Sequence, residues 1–137
     1  MKCPAAAYLL LGLCLSHCAP AVPGQAPSPV GRWEQLGVRR VTHDLAGHLL
    51  DDEYEANEPG RFWLELTAAG TVYFRDQGLA QPTATTYAYR ADTLRFRDEA
   101  RGETRHPVLV LGPHRLVYRS HEEASSGTED RTYTYRR

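Results

Sequence analysis

Beyond position 18 the chain has no cysteine. Its three, Cys3, Cys14 and Cys18, crowd into the leader, so residues 31–137 can form no disulfide staple, thiolate nucleophile or thiolate metal site. Lysine is missing too, apart from Lys2, and from Gly31 onward fifteen Arg face seventeen Asp and Glu with the signs interspersed along the sequence. A strongly basic nucleic-acid surface is excluded by that balance. No stretch carries the apolar spacing of a helix longer than two turns. No Gly-rich phosphate loop follows a strand pattern. The 107 residues from Gly31 bury only about two-thirds of the surface that the unfolded chain exposes, which is one modest core. A cofactor domain plus a substrate domain does not fit.

What is present begins with an export signal. Residues 5–15 are an apolar run of eleven after Lys2, long enough for a signal-peptide core and short of the ~20 residues of a membrane-spanning helix. Leu15-Ser16-His17-Cys18 follows and resembles the lipobox of bacterial lipoproteins, with His17 where that motif has a small residue. The resemblance implies lipidation of Cys18 and a signal peptide over residues 1–18. Ala19-Pro20-Ala21 offers the competing reading, ordinary secretory cleavage at a small-x-small site. Residues 19–30 hold Pro20, Pro23, Pro27 and Pro29 and form an extended, semi-rigid tether. Either reading places the protein outside the cytoplasm. With the lipid it is held at the cell envelope, in the periplasm or on the outer membrane; without it the protein is secreted and soluble.

From Gly31 the period is two. Phe62, Leu64 and Leu66 alternate with Trp63 and Glu65; Leu94 and Phe96 alternate with Arg95 and Arg97. Similar segments end in Tyr133-Thr134-Tyr135-Arg136. With residues 32–41 as the first, eight strands are expected. The turns agree: Ala68-Ala69-Gly70 and Gly112-Pro113-His114 close hairpins, Ala91-Asp92 is a two-residue link, and Pro107 is expected where a strand begins. Residues 43–60 read as one long loop with a single helical turn at most, and residues 121–130 as a polar loop. Eight short strands joined by hairpins predict an all-β, eight-stranded antiparallel up-and-down barrel, because closure removes the exposed edges. The inward set is Trp33, Phe62, Leu64, Leu66, Val72, Phe74, Tyr87, Tyr89, Leu94, Phe96, Val108, Val110, Leu116, Tyr118, Tyr133 and Tyr135. A barrel of this size either fills with side chains or holds one small ligand.

Gly31-Arg32-Trp33 at the start of the first strand resembles the G-x-W motif of lipocalins. The hairpins around Ala68-Ala69-Gly70 and Ala91-Asp92 are similar to those of short lipocalin-like domains in exported bacterial proteins. The resemblance covers residues 31–137. It implies a lipocalin-like barrel without the C-terminal helix, in which Trp33 seals the floor and Arg136 or Arg137 packs over its ring. It also makes the 43–60 connection a flap over the mouth.

The residues offer little chemistry beyond binding. His43, Asp44 and His48 with Asp51, Asp52, Glu53, Glu55 and Glu58 read as a solvated acidic loop, since neither zinc-ligand nor EF-hand spacing is met. Ser120 and His121 are neighbours on a strand and point to opposite faces, a poor nucleophile–base pair. Asp98 and Glu99 read as a solvated hairpin tip. No cofactor is implied, and the expectation is a non-enzymatic protein. Tyr87, Tyr89, Tyr118, Tyr133 and Tyr135 share the inward parity. They suit either the wall of an amphipathic ligand site or a tyrosine-rich core. The candidate ligand-facing residues are Phe62, Leu64, Phe74, Tyr87, Tyr89, Phe96, Val108, Leu116, Tyr118 and Tyr133. Two functions follow: a monomeric envelope carrier of a lipid or other hydrophobic or amphipathic small molecule, or a filled barrel that contacts an envelope partner or inhibits a hydrolase.

Overall fold

The structure, a computed structural model, describes residues 26–100 and 102–137, so the signal peptide, Cys18 and most of the tether lie outside the described residues. Among the described residues nine strands follow one another: β1 (Gly31–His43), β2 (Leu49–Ala56), β3 (Phe62–Leu66), β4 (Thr71–Asp76), β5 (Thr83–Arg90), β6 (Thr93–Asp98), β7 (Gly102–Leu111), β8 (Arg115–Ala124) and β9 (Gly127–Arg136). All neighbours are antiparallel, and the ring closes because β1 pairs with β9 along one edge. Along its other edge β1 pairs first with β3, through Gly31–Glu34, and then with β2, through Gly37–His43. β2 and β3 thus lie end to end on one side of β1, and the nine strands make eight staves of a closed barrel.

Local chemistry explains the turns. Ala91 and Asp92 both take left-handed φ, 48° and 53°, which gives a two-residue loop the twist its flanking strands need. Gly70 supplies φ 81° where the β3–β4 turn closes through its N–H to the Thr67 carbonyl. The core fills the lower half of the barrel. Trp33, Leu64, Leu66, Val72, Leu94 and Leu116 are fully buried there, each contributing roughly 1.5–3 kcal/mol by leaving water.

The floor is an ion-over-ring arrangement. Arg137 Cζ lies 4.1 Å from the Trp33 ring centroid, and the Trp33 indole donates to the Pro29 carbonyl at 2.7 Å. Arg137 also donates to the carbonyls of Val30 (2.9 Å) and Pro113 (2.8 Å), tying the entry segment to the β7–β8 turn. The arginine over the indole is therefore Arg137. Arg136, one residue earlier and on the other face, donates instead to Glu34 at 2.9 Å.

Four further expectations are corrected. The 43–60 segment carries a full strand, β2, bonded to β1 over its whole length; all eight of its residues are exposed, so neither face leaves an apolar alternation to detect. Residues 121–130 are the ends of β8 and β9 about a tight turn, paired up to Ala124↔Gly127. Pro107 does not begin a strand. It stands within β7, at the point where that strand stops pairing with β6 and starts pairing with β8. An irregularity between Val108 and Val110 then turns the parity, leaving Val110 41% exposed and seating Leu111 against the core.

Candidate functional site: an aromatic cup beneath an acidic flap

Above Tyr118 the wall parts. β8 pairs with β7 only through Tyr118, Val117 and Leu116, and β2 pairs only with β1 among the described residues. The upper part of the molecule is therefore two leaves, β2-β1-β9-β8 and β4-β5-β6-β7. The first rises higher, because β1 continues from Gly37 to His43 after leaving β3, about 20 Å of extended chain. This four-stranded ribbon is the flap.

Between the leaves lies a cavity of about 400 Å³. Phe74, Phe96 and His106 face it from one leaf, and Tyr118 and Tyr133 from the other. Phe74 and Phe96 meet edge to face with ring centroids 5.4 Å apart; Tyr118 stacks on Tyr133 at 5.0 Å and on Tyr135 at 5.6 Å. The deep end is polar. The Tyr118 and Tyr135 hydroxyls are 3.1 Å apart, and Tyr135 donates to Gln35 Oε1 at 3.2 Å. A carbonyl oxygen can only accept, so the Tyr135 proton is committed to Gln35 and Tyr118 donates to Tyr135. Burial pushes both phenols up, Tyr135 well above its ordinary value, so both stay neutral donors across the physiological range.

The histidine is neutral as well. His106 lies between Phe96 (5.0 Å) and Tyr118 (5.6 Å), its Nε2 is 2.9 Å from Thr104 Oγ1, and its buried Nδ1 faces the Arg119 backbone without a well-formed hydrogen bond. Burial lowers its pKa from 6.5, against a smaller upward pull from the Arg119 backbone. Asp98, Glu122 and Arg131 stand around the opening. Arg131 pairs with Glu129 and lies 4.0 Å from Glu122. Partial burial opposes its charge, but the Tyr133 hydroxyl and these carboxylates more than offset that and hold its pKa up.

The sequence-level candidates divide in two. Phe74, Phe96, Tyr118 and Tyr133 come together on the cavity. Leu64 and Leu116 are fully buried beneath it and touch no open volume. Tyr87, Tyr89 and Val108 pack around the core, with the Tyr87 hydroxyl donating to the Thr67 carbonyl and that of Tyr89 to Asp92. Phe62, at the start of β3, lies under the Arg61 guanidinium at 5.0 Å. Sequence reading missed Gln35, His106, Ser120 and the rim charges, because it searched the interior for apolar residues. The continuation of the inward parity of Tyr133 to Arg131, and of Tyr118 to Ser120 and Glu122, was the available signal. Ser120 faces the cavity, whereas His121 pairs with Asp130 at 2.9 Å on the outer face. His48 meets Asp44 at 3.0 Å at the flap tip, and no group of three metal-ligating side chains forms among the described residues.

Charge is sorted by the fold. The flap, residues 39–58 and 119–131, holds ten carboxylates against four arginines, a net of −6; the rest of the chain from Gly31 holds seven against eleven, a net of +4.

No family model matches the chain, and no curated protein matches it. The solved structures similar to it include lipocalin chains. Bovine odorant-binding protein in complex with undecanal matches at 17% identity and TM-score 0.47, over 85% of this chain and 75% of that one. A deswapped triple mutant of bovine odorant-binding protein matches at 16% identity and TM-score 0.45, over 78% and 72%. A dog lipocalin allergen matches at 15% identity and TM-score 0.44, over 83% of this chain and 74% of the other.

Proposed function

We propose that this chain is an exported, non-enzymatic binding protein that holds a small hydrophobic or amphipathic molecule in the upper half of its barrel. In this reading Cys18 carries the lipid, residues 19–30 space the barrel from the envelope membrane, and the barrel acts as a monomer. One observation carries the proposal: an aromatic-walled cavity of about 400 Å³, open at the end where the leaves part, above a floor already filled by Trp33 and its neighbours. Its size falls within the range of small-molecule sites. Apolar rings at the sides and hydroxyls at the deep end suit a ligand with both characters. The second reading, a protein-contact module, draws on the exposed Leu45, Leu49, Leu50 and Tyr54 of the flap.

Titration with the neutral dye N-phenyl-1-naphthylamine tests the carrier reading. The chain should enhance and saturate the dye's fluorescence. Thr104→Trp places an indole at the rim from a position that is itself exposed, so it should block the dye and leave the fold intact by circular dichroism. Dye binding unchanged by Thr104→Trp would refute the cavity as the site.

A further inference from the structure

Resting on that reading, we infer that the cavity selects an amphipathic organic cation: an apolar body carrying one protonated or quaternary amine. Consider what the lining offers each class of headgroup. An anionic headgroup needs a cation with an open coordination side. Arg131 is the one permanently charged cation on the described lining, and it is already held between Glu129 and Glu122. A carboxylate entering there would have to displace one of them. His106 contributes no charge at neutral pH, packed as it is between two rings.

For a cation the balance of charge on the described lining runs the other way, two carboxylates to one arginine. The walls present the faces and edges of Phe74, Phe96, Tyr118 and Tyr133, and aromatic faces attract cations. At the opening Asp98 and Glu122 face the cavity. Alongside, on the inner side of the flap, Glu53 and Glu55 line a second groove that shares Arg131 and Tyr133 with the cavity, and Arg40 there is already paired with Glu53 at 2.7 Å. The entrance is also the acidic pole of the molecule, so approach of a cation is favoured before contact, over roughly the 8–10 Å that salt permits. An apolar tail would then lie among the rings with its ammonium at the rim.

Three ligands of one chain length separate the possibilities: decyltrimethylammonium, decanol and decanoate, each displacing N-phenyl-1-naphthylamine below its micellar concentration. The ammonium should bind about tenfold tighter than decanol, the sum of modest cation–π and rim ion-pair gains, and decanoate should bind weakest. Asp98→Asn with Glu122→Gln should reduce the ammonium-to-decanol ratio to about two. Glu123→Gln removes a charge from the outer side of the same strand and should leave the ratio as it was, which separates contact in the cavity from attraction to the flap at large. Decanoate binding as well as the ammonium, or a ratio that survives the double substitution, would overturn the inference and leave the cavity reading standing. Failure of all three ligands and of the dye would remove the cavity reading itself.

Discussion

The contact between Trp33 and Arg137 is the sharpest test of how the barrel is closed. Trp33→Phe removes two things. The Pro29 carbonyl loses its buried donor, which costs roughly 1–3 kcal/mol. The smaller ring leaves a void of about 40 Å³, worth about 1 kcal/mol at about 24 cal/mol per Å³. Together these predict a loss of about 2–4 kcal/mol, near 10 °C in melting temperature for a domain of this size. Arg137→Gln loses a cation–π contact at a solvent-reached site and charge-assisted hydrogen bonds to two carbonyls, about 1–2 kcal/mol in all. Because guanidinium and indole touch, the double variant should be less destabilised than the sum by about 0.5–1 kcal/mol. Urea unfolding followed by circular dichroism measures all three, with slopes expected to match the parent. A coupling energy indistinguishable from zero would mean that Arg137 merely lies over the floor and does not hold it.

Two further outcomes follow from geometry and titration. Gly127→Ala should loosen the flap hairpin by about 2–3 kcal/mol, since its φ is +145° and an added Cβ would fall 1.9 Å from the His43 carbonyl oxygen; faster amide exchange confined to β1, β2, β8 and β9 is the expected signature, and unchanged protection there would contradict it. His106 has its folded pKa below the ordinary 6.5, so the unfolded chain binds the extra proton first; its contribution to stability is complete above pH 6.5 and declines as pH falls from there toward the folded value. Denaturation midpoints across that window should fall in the parent and fall less in His106→Phe, and parallel curves would show that His106 does not titrate as the packing requires.

Much of the architecture was legible because strand parity is a local property. Trp33, Leu66, Val72 and Leu94 alternate with polar or half-polar neighbours and, with Leu64 and Leu116 at the same inward parity, are the side chains found fully buried. The tight turn at Ala91-Asp92 and the glycine at position 70 were readable for the same reason, since the backbone conformation there depends on the residue itself. β2 was not legible. Its residues are exposed on both faces, so what makes it a strand is hydrogen bonding to β1, with Arg39 on Asp52 (2.6 Å) and Arg40 on Glu53 (2.7 Å) across the pair. Pairing of that kind leaves no apolar period.

The amino-acid order by itself determined an all-β chain with alternating faces, an aromatic interior and an indole near its first strand, because each of these depends on neighbours two residues apart. Only the closed ring decided which tyrosines face open volume and which are packed, that Arg137 rather than Arg136 covers the indole, and that charges mixed along the chain separate into an acidic flap and a basic body. Those outcomes depend on which strands meet and where the wall parts. Contacts between Gln35 and Tyr135, or between Phe96 and Tyr118, span from about twenty to a hundred positions of sequence, and no local period encodes them.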